Sequence, residues 1–127
     1  MRNWLTGIVL ALALAAGHVH AQQAGDRILA QWEADGMWYP ARITAVEGRS
    51  IQVAFDDGDI ATVGALQVRP VDWRVGTRVQ CNWQNRGQYY PGTITLIEGE
   101  RIDVRYDDGD RETMTIGRCR SATYDVE

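Results

Sequence analysis

The chain returns on itself after 51 residues, without a gap. Trp32-Glu33-Ala34-Asp35-Gly36-Met37-Trp38-Tyr39-Pro40 comes back as Trp83-Gln84-Asn85-Arg86-Gly87-Gln88-Tyr89-Tyr90-Pro91. Phe55-Asp56-Asp57-Gly58-Asp59 comes back as Tyr106-Asp107-Asp108-Gly109-Asp110. Between Gly25–Arg69 and Gly76–Arg120, 18 of 45 positions are identical. A fixed period of this size means one structural unit used twice. Whatever the chain folds into must therefore be built from a piece of about 50 residues, close to the lower limit for an independent core.

The pattern inside that piece is all strand. Arg27–Trp32 reads as a first strand and Met37–Val46 as a second, with Ala41 and Ile43 on one face and Arg42 and Thr44 on the other. Glu47-Gly48 marks a tight turn. Ile51, Val53 and Phe55 share a face of the third strand. Asp57-Gly58 is a two-residue hairpin signal, and Ile60–Val63 returns from it. Gly64-Ala65-Leu66 predicts a short helical turn before a last strand at Gln67–Arg69. Five short strands with tight hairpins suit a small barrel that protects its own edges. Pro40 and Pro91 fall inside the second strand of each copy, where proline needs an edge or a bend; a strand turning a barrel corner at that point would supply one. The expected organisation is all-β, with two tandem five-stranded barrels at 25–70 and 76–121. The linker carries Trp73, which has no repeat partner and is expected to pack between the barrels.

Residues 1–21 stand outside the repeat. Arg2 precedes an apolar run from Leu5 through Ala16, and Val19 and Ala21 fit the −3 and −1 positions of a signal-peptidase site. The run is short and Ala-rich for a membrane span, which needs about 20 residues; an uncleaved anchor is the other reading. No cysteine adjoins Ala21 to take a lipid. The expectation is a periplasmic or secreted chain beginning near Gln22, with no stable membrane span after cleavage.

Cleavage would remove both histidines, His18 and His20, and the chain has no lysine at all. That takes away the commonest general base and metal ligand. The formal net charge of −4 becomes −5 without Arg2, and no basic stripe is present, so nucleic acid is not an expected partner. Cys81 and Cys119 lie only in the second copy, where the first has Ala30 and Val68. They fall in the first and last strands of that unit, and in an oxidising compartment such a pair is expected to form a disulfide. Buried free thiols are the alternative.

The segment Trp-x-x-x-Gly-x-x-Tyr-Pro-Ala/Gly-x-Ile, followed by Val-x-Phe/Tyr-Asp-Asp-Gly-Asp, resembles the Tudor domain family in both copies. The resemblance implies an SH3-like five-stranded barrel and non-catalytic binding of methylated lysine or arginine in an aromatic cage. By it, the cage positions are Trp32, Tyr39 and Phe55 in the first unit and Trp83, Tyr90 and Tyr106 in the second. Many family members place a further aromatic in or just after the turn that follows the third strand. Here that turn holds Asp57-Gly58-Asp59 and Asp108-Gly109-Asp110, so each cage is expected to have three walls.

The same rim follows from strand order. Trp32 ends the first strand, Tyr39 starts the second and Phe55 ends the third, and strand ends in a small barrel converge. Ring faces there would attract a cation at about 0.5–2 kcal/mol each, and the carboxylates of Asp56, Asp57 and Asp59 would add to it. Packing alone is the competing reading: Trp32 and Phe55 capping a small core, Tyr39 resting on Pro40. In the second unit the hydroxyls of Tyr90 and Tyr106 would make a wetter mouth. The acidic turns match only two positions of a calcium loop, and the cysteines lack zinc-site spacing, so no metal or other cofactor is expected. No nucleophile motif or phosphate loop is present, and the chain does not read as an enzyme. The function expected is an exported tandem module holding a cationic group on a protein or peptide partner. The alternative is a cell-envelope or peptidoglycan-associated SH3-like module. A weaker third possibility is that Arg101 and Arg105 contact acidic partners.

Overall fold

Alternation along the third strand of each repeat sets the inner face. In the computed structural model of the chain, which describes residues 22–123, Ile51, Val53 and Phe55 are buried while Gln52 is exposed. Ile102, Val104 and Tyr106 are buried in the same rhythm. The first unit runs β1 (Arg27–Gln31), β2 (Trp38–Glu47), β3 (Ser50–Phe55), β4 (Ile60–Val63), a 3-10 turn (Ala65–Gln67) and β5 (Val68–Pro70). The second runs β6 (Arg78–Asn82), a 3-10 turn (Trp83–Asn85), β7 (Tyr89–Glu98), β8 (Arg101–Tyr106), β9 (Arg111–Thr115), a 3-10 turn (Ile116–Arg118) and β10 (Cys119–Arg120). Each unit is one five-stranded antiparallel sheet, in the orders β4-β3-β2-β1-β5 and β10-β6-β7-β8-β9. The expected signal segment lies outside the described residues.

Three local readings differ from the expected ones. The bend in β2 comes after Pro40: the β2–β3 register shifts between Ile43 and Ala45, and β7 repeats this between Ile94 and Leu96. Pro40 is tolerated because the β2–β3 ladder begins only at Ala41, so no partner asks for the missing N–H. The acidic hairpin has three loop residues, not two. The Phe55 N–H donates to the Asp59 carbonyl and Gly58 takes φ +100°, the left-handed position that closes a three-residue loop. The last strand starts at Val68 rather than Gln67.

The cysteine pair sits where the barrel wall closes. Ala30 faces Val68 across β1 and β5, and Cys81 faces Cys119 at the matching place across β6 and β10. The two sulfurs are bonded at 2.05 Å. A loop of 38 residues closed this way gains on the order of 4 kcal/mol from the restricted unfolded chain.

The units are docked along a seam. Trp38 and Ser121 exchange backbone hydrogen bonds of 2.8 and 3.0 Å, bridging β2 to the residue after β10. Trp73 is buried in one cluster with Leu29 and Trp38 of the first unit and Val79, Ile94 and Ile116 of the second, and its Nε1 donates to Ser121 Oγ at 3.2 Å. Burial of two indoles gives the seam apolar area comparable to core packing. At its edge, Arg27 and Arg42 reach Glu100 across the units at 3.2 and 3.1 Å.

Candidate functional site

Each unit carries a hollow where its strand ends meet. In the first, Trp32 follows β1, Tyr39 lies near the start of β2 and Phe55 ends β3, because two hairpins bring those three positions to one end of the sheet. Phe55 is buried and forms the floor. Trp32 stands against it at 5.3 Å between centroids and 87° between planes, and Tyr39 at 6.2 Å and 89°. Perpendicular walls on a common floor leave an open space of about 130 Å³ lined by these rings with Asp57 and Asp59. The second hollow, about 190 Å³, is lined by Trp83, Tyr90, Tyr106, Asp108 and Asp110. All ten ligand positions expected from the sequence thus line one or other of these two spaces.

The turn carboxylates divide in the same way in both units. Asp56 receives Arg27 in a two-pronged contact at 2.5 and 2.6 Å, and Asp107 receives Arg78 at 2.7 Å on both oxygens. Arg78 holds the exposed Asp107 carboxyl below its ordinary value through that hydrogen bond. Asp56 therefore adds nothing to the hollow, contrary to its grouping with Asp57 and Asp59 in sequence. Among the described residues no ion pair reaches Asp57, Asp59, Asp108 or Asp110. Asp57 and Asp108 each accept the N–H of the aspartate two residues on, at 3.0 and 2.9 Å, which fixes the loop shape.

A fourth ring in the first hollow was not legible in the repeat. Tyr89, from β7 of the second unit, lines it and meets Tyr39 edge-on at 6.4 Å. Its repeat counterpart, Trp38, is buried in the seam. Arg120 ties the two tyrosines: its guanidinium lies 4.1 Å from the Tyr89 ring centroid and its Nη1 donates to Tyr39 Oη at 2.8 Å. Tyr39 in turn donates to Asp35 at 2.5 Å. Burial, reinforced by the Asp35 hydrogen bond, raises the Tyr39 phenol to about 12. Tyr89 is raised as well, chiefly by burial.

The second hollow is backed differently. Tyr106 donates to Glu112 Oε1 at 2.7 Å, and Arg118 reaches Glu112 Oε2 at 2.6 Å. The same Oε2 accepts the Gln84 N–H at 3.1 Å, and Arg118 also donates to the Asn82 carbonyl. Burial pushes the Glu112 carboxyl up, but these donors outweigh it and hold it below its ordinary value. Tyr90, 43% exposed, donates to Gln88 at 2.6 Å. Both hydroxyls of this mouth are thus engaged by neighbours rather than offered to it. Among the described residues no cluster of three or more His, Cys, Asp or Glu is placed to hold a metal ion, and no helix is long and apolar enough to cross a membrane.

Residues 24–71 match the family model of the Tudor domain of the DNA repair protein Crb2. The solved structure of the Crb2 tandem tudor domains superposes with a TM-score of 0.57 at 19% identity, over 84% of this chain and 83% of that one. The tandem Agenet domains 3-4 of ADCP1 align at a TM-score of 0.36 and 13% identity, over 78% of this chain and 79% of that one. The Arabidopsis thaliana AGDP1 AGD34 structure aligns at 0.37 and 12%, over 78% and 81%. The fold assignment rests on the first of these structures. No curated protein sequence matches the chain. The first unit thus matches a Tudor family model, the second is a sequence duplicate of the first, and the whole described chain shares the fold of tandem tudor domains.

Proposed function

We propose that the chain is an exported, non-catalytic binding module whose hollows take a cationic group, of the methylated arginine or lysine kind, on a protein partner. One contrast carries the reading. In each acidic turn the first aspartate is neutralised by a resident arginine, while the two that line the hollow have no ion-pair partner among the described residues. Unpaired carboxylates beside ring faces form a mouth of negative potential, which a cation of low hydration suits best. A methylated guanidinium or ammonium has that character, and hollows of about 130 and 190 Å³ match a side-chain head rather than a drug-sized ligand. The match of the first unit to a Tudor family model supports the same class of ligand and a non-catalytic role. Export is supported by the disulfide, a bond that persists in oxidising compartments.

Tryptophan fluorescence of the chain, titrated with dimethylated arginine, dimethylated lysine and choline, tests the reading. Trp32 and Trp83 should respond at millimolar ligand or below. No response to any of the three would overturn it, and retention on purified sacculi in that case would favour a cell-wall module instead.

A further inference from the structure

Trp32 has two sides. One faces the first hollow; the other opens onto a groove of about 650 Å³ that runs between the end of β1 and β4. The wall of this groove is an edge strand: β4 pairs with β3 alone, and its other edge carries no strand among the described residues. Ile60, at the start of β4, is 78% exposed.

The duplicate shows what can close such a groove. In the second unit Glu112 of β9 and Arg118 of the following 3-10 turn form an ion pair, and together they bind the Gln84 N–H and the Asn82 carbonyl on the opposite wall. That clamp spans the place where the first unit is open. The residues 51 positions earlier are Ala61 and Gln67, facing Gln31 and Glu33. Alanine has nothing to reach across with. Gln67 turns back to accept the Gly64 N–H at 2.8 Å, and Gln31 donates to the Gly36 carbonyl at 3.1 Å. Gln67 and Gln31, the counterparts of Arg118 and Asn82, are thus engaged on their own side.

We propose that the first unit alone is the receptor for an extended peptide. The cationic side chain enters the first hollow, and the flanking main chain lies in the groove as an added strand on the free edge of β4. The inference rests on the cation reading above and adds the partner's form: an unfolded segment, cationic at one position, rather than a folded surface. The groove carries one charge of each sign, Glu33 and Arg49, and so suits a main chain without net charge, whereas Asp57 and Asp59 around the corner of Trp32 give the hollow the opposite charge to the segment's one cation. Main-chain pairing to an exposed edge supplies affinity without dictating sequence, and the side-chain pocket supplies the selection. The second unit, its groove clamped, contributes Tyr89 to the first hollow and the seam that holds it there.

Three ligands separate the parts: an N-acetyl dimethyl-arginine amide, a seven-residue peptide with dimethyl-arginine at its centre, and the same peptide with its flanking amides N-methylated. The peptide should bind about tenfold or more tightly than the bare amide, and N-methylation should return it to the level of the amide. The double variant A61E/Q67R, which rebuilds the clamp, should remove the peptide's advantage and leave the amide's affinity within about twofold, with an unchanged circular dichroism spectrum. Equal affinity of all three ligands for the parent chain would overturn the groove while leaving the cation reading intact. Failure of the amide and the peptide alike would overturn the cation reading itself, and the groove proposal with it. Pairing of two copies of the chain through β4, seen as a dimer by light scattering, would overturn the peptide as occupant. The N-methylated peptide keeps the test decisive should the double variant fold poorly.

Discussion

Asp56 lies so close to Gly117 that a methyl group on residue 117 would come within 2.2 Å of the Asp56 Oδ2 and 2.7 Å of its Cβ. The two residues belong to different units, so the contact lies across the seam. Asp56 cannot swing aside without leaving Arg27, which grips both its oxygens. Substitution Gly117→Ala should therefore separate the units locally and cost about 1–3 kcal/mol in urea unfolding. Leu66→Ala, at the equivalent place in the first unit but 95% exposed, should change stability by no more than about 0.5 kcal/mol.

Tyr89 makes the first hollow dependent on the second unit. Tyr89→Ala removes one ring worth about 0.5–2 kcal/mol toward a cation, a loss of roughly 2- to 30-fold in affinity. The loss should appear in Trp32 fluorescence with Trp83 replaced by Phe, and should be absent when the second hollow is read with Trp32 replaced instead.

Asp57→Asn with Asp59→Asn should weaken cation binding at the first hollow and flatten its salt dependence, since exposed charges act over about 8–10 Å at ordinary ionic strength. Titrations at low and high salt check this. An unchanged salt slope would mean that the rings act without the carboxylates.

The cysteine pair is an addition to a site the first unit closes with apolar contact. Replacing both, by Cys81→Ala and Cys119→Val as in the first copy, should keep the fold and lower stability by about 3–4 kcal/mol, measured by urea unfolding under oxidising conditions.

Two pH effects follow from the site. The folded chain lowers the Glu112 carboxyl from its ordinary 4.5, so its contribution is full above that value and is lost as pH falls through the lower folded one. The stability difference between the parent chain and Glu112→Gln should thus shrink below pH 4.5. Tyr39 is raised from 10.0 to about 12, so its contribution holds below 10 and disappears as pH rises through 12. Ultraviolet titration should detect a tyrosine ionising near 12 in the parent chain that is missing from Tyr39→Phe.

The rim of each unit was legible because it follows from hairpin connectivity: Trp32, Tyr39 and Phe55 sit at neighbouring strand ends whatever the rest of the chain does. Phe55-Asp56-Asp57 was legible only in part. Asp56 points toward Arg27, a pairing that depends on β1 and β3 flanking β2 on its two edges, not on sequence adjacency. Tyr89 was hidden because its role is set by how two rigid units meet, and a repeat read one copy at a time holds no information on that meeting. The clamp of Glu112 and Arg118 was hidden for a related reason. Each residue is an ordinary surface charge by its neighbours, and only the turn after β9 brings them together across the groove. The disulfide was legible because strand order alone puts the first and last strands of such a sheet side by side.

Gly117 and Leu66 occupy the same place in the two copies, and only the glycine admits a neighbouring aspartate. Were another molecule to offer its own Asp107 to this chain's first unit in the same manner, it would strike a leucine side chain instead of bare backbone. The mode of contact that joins the two copies thus meets a side chain at its other end, which disfavours a head-to-tail filament built from it.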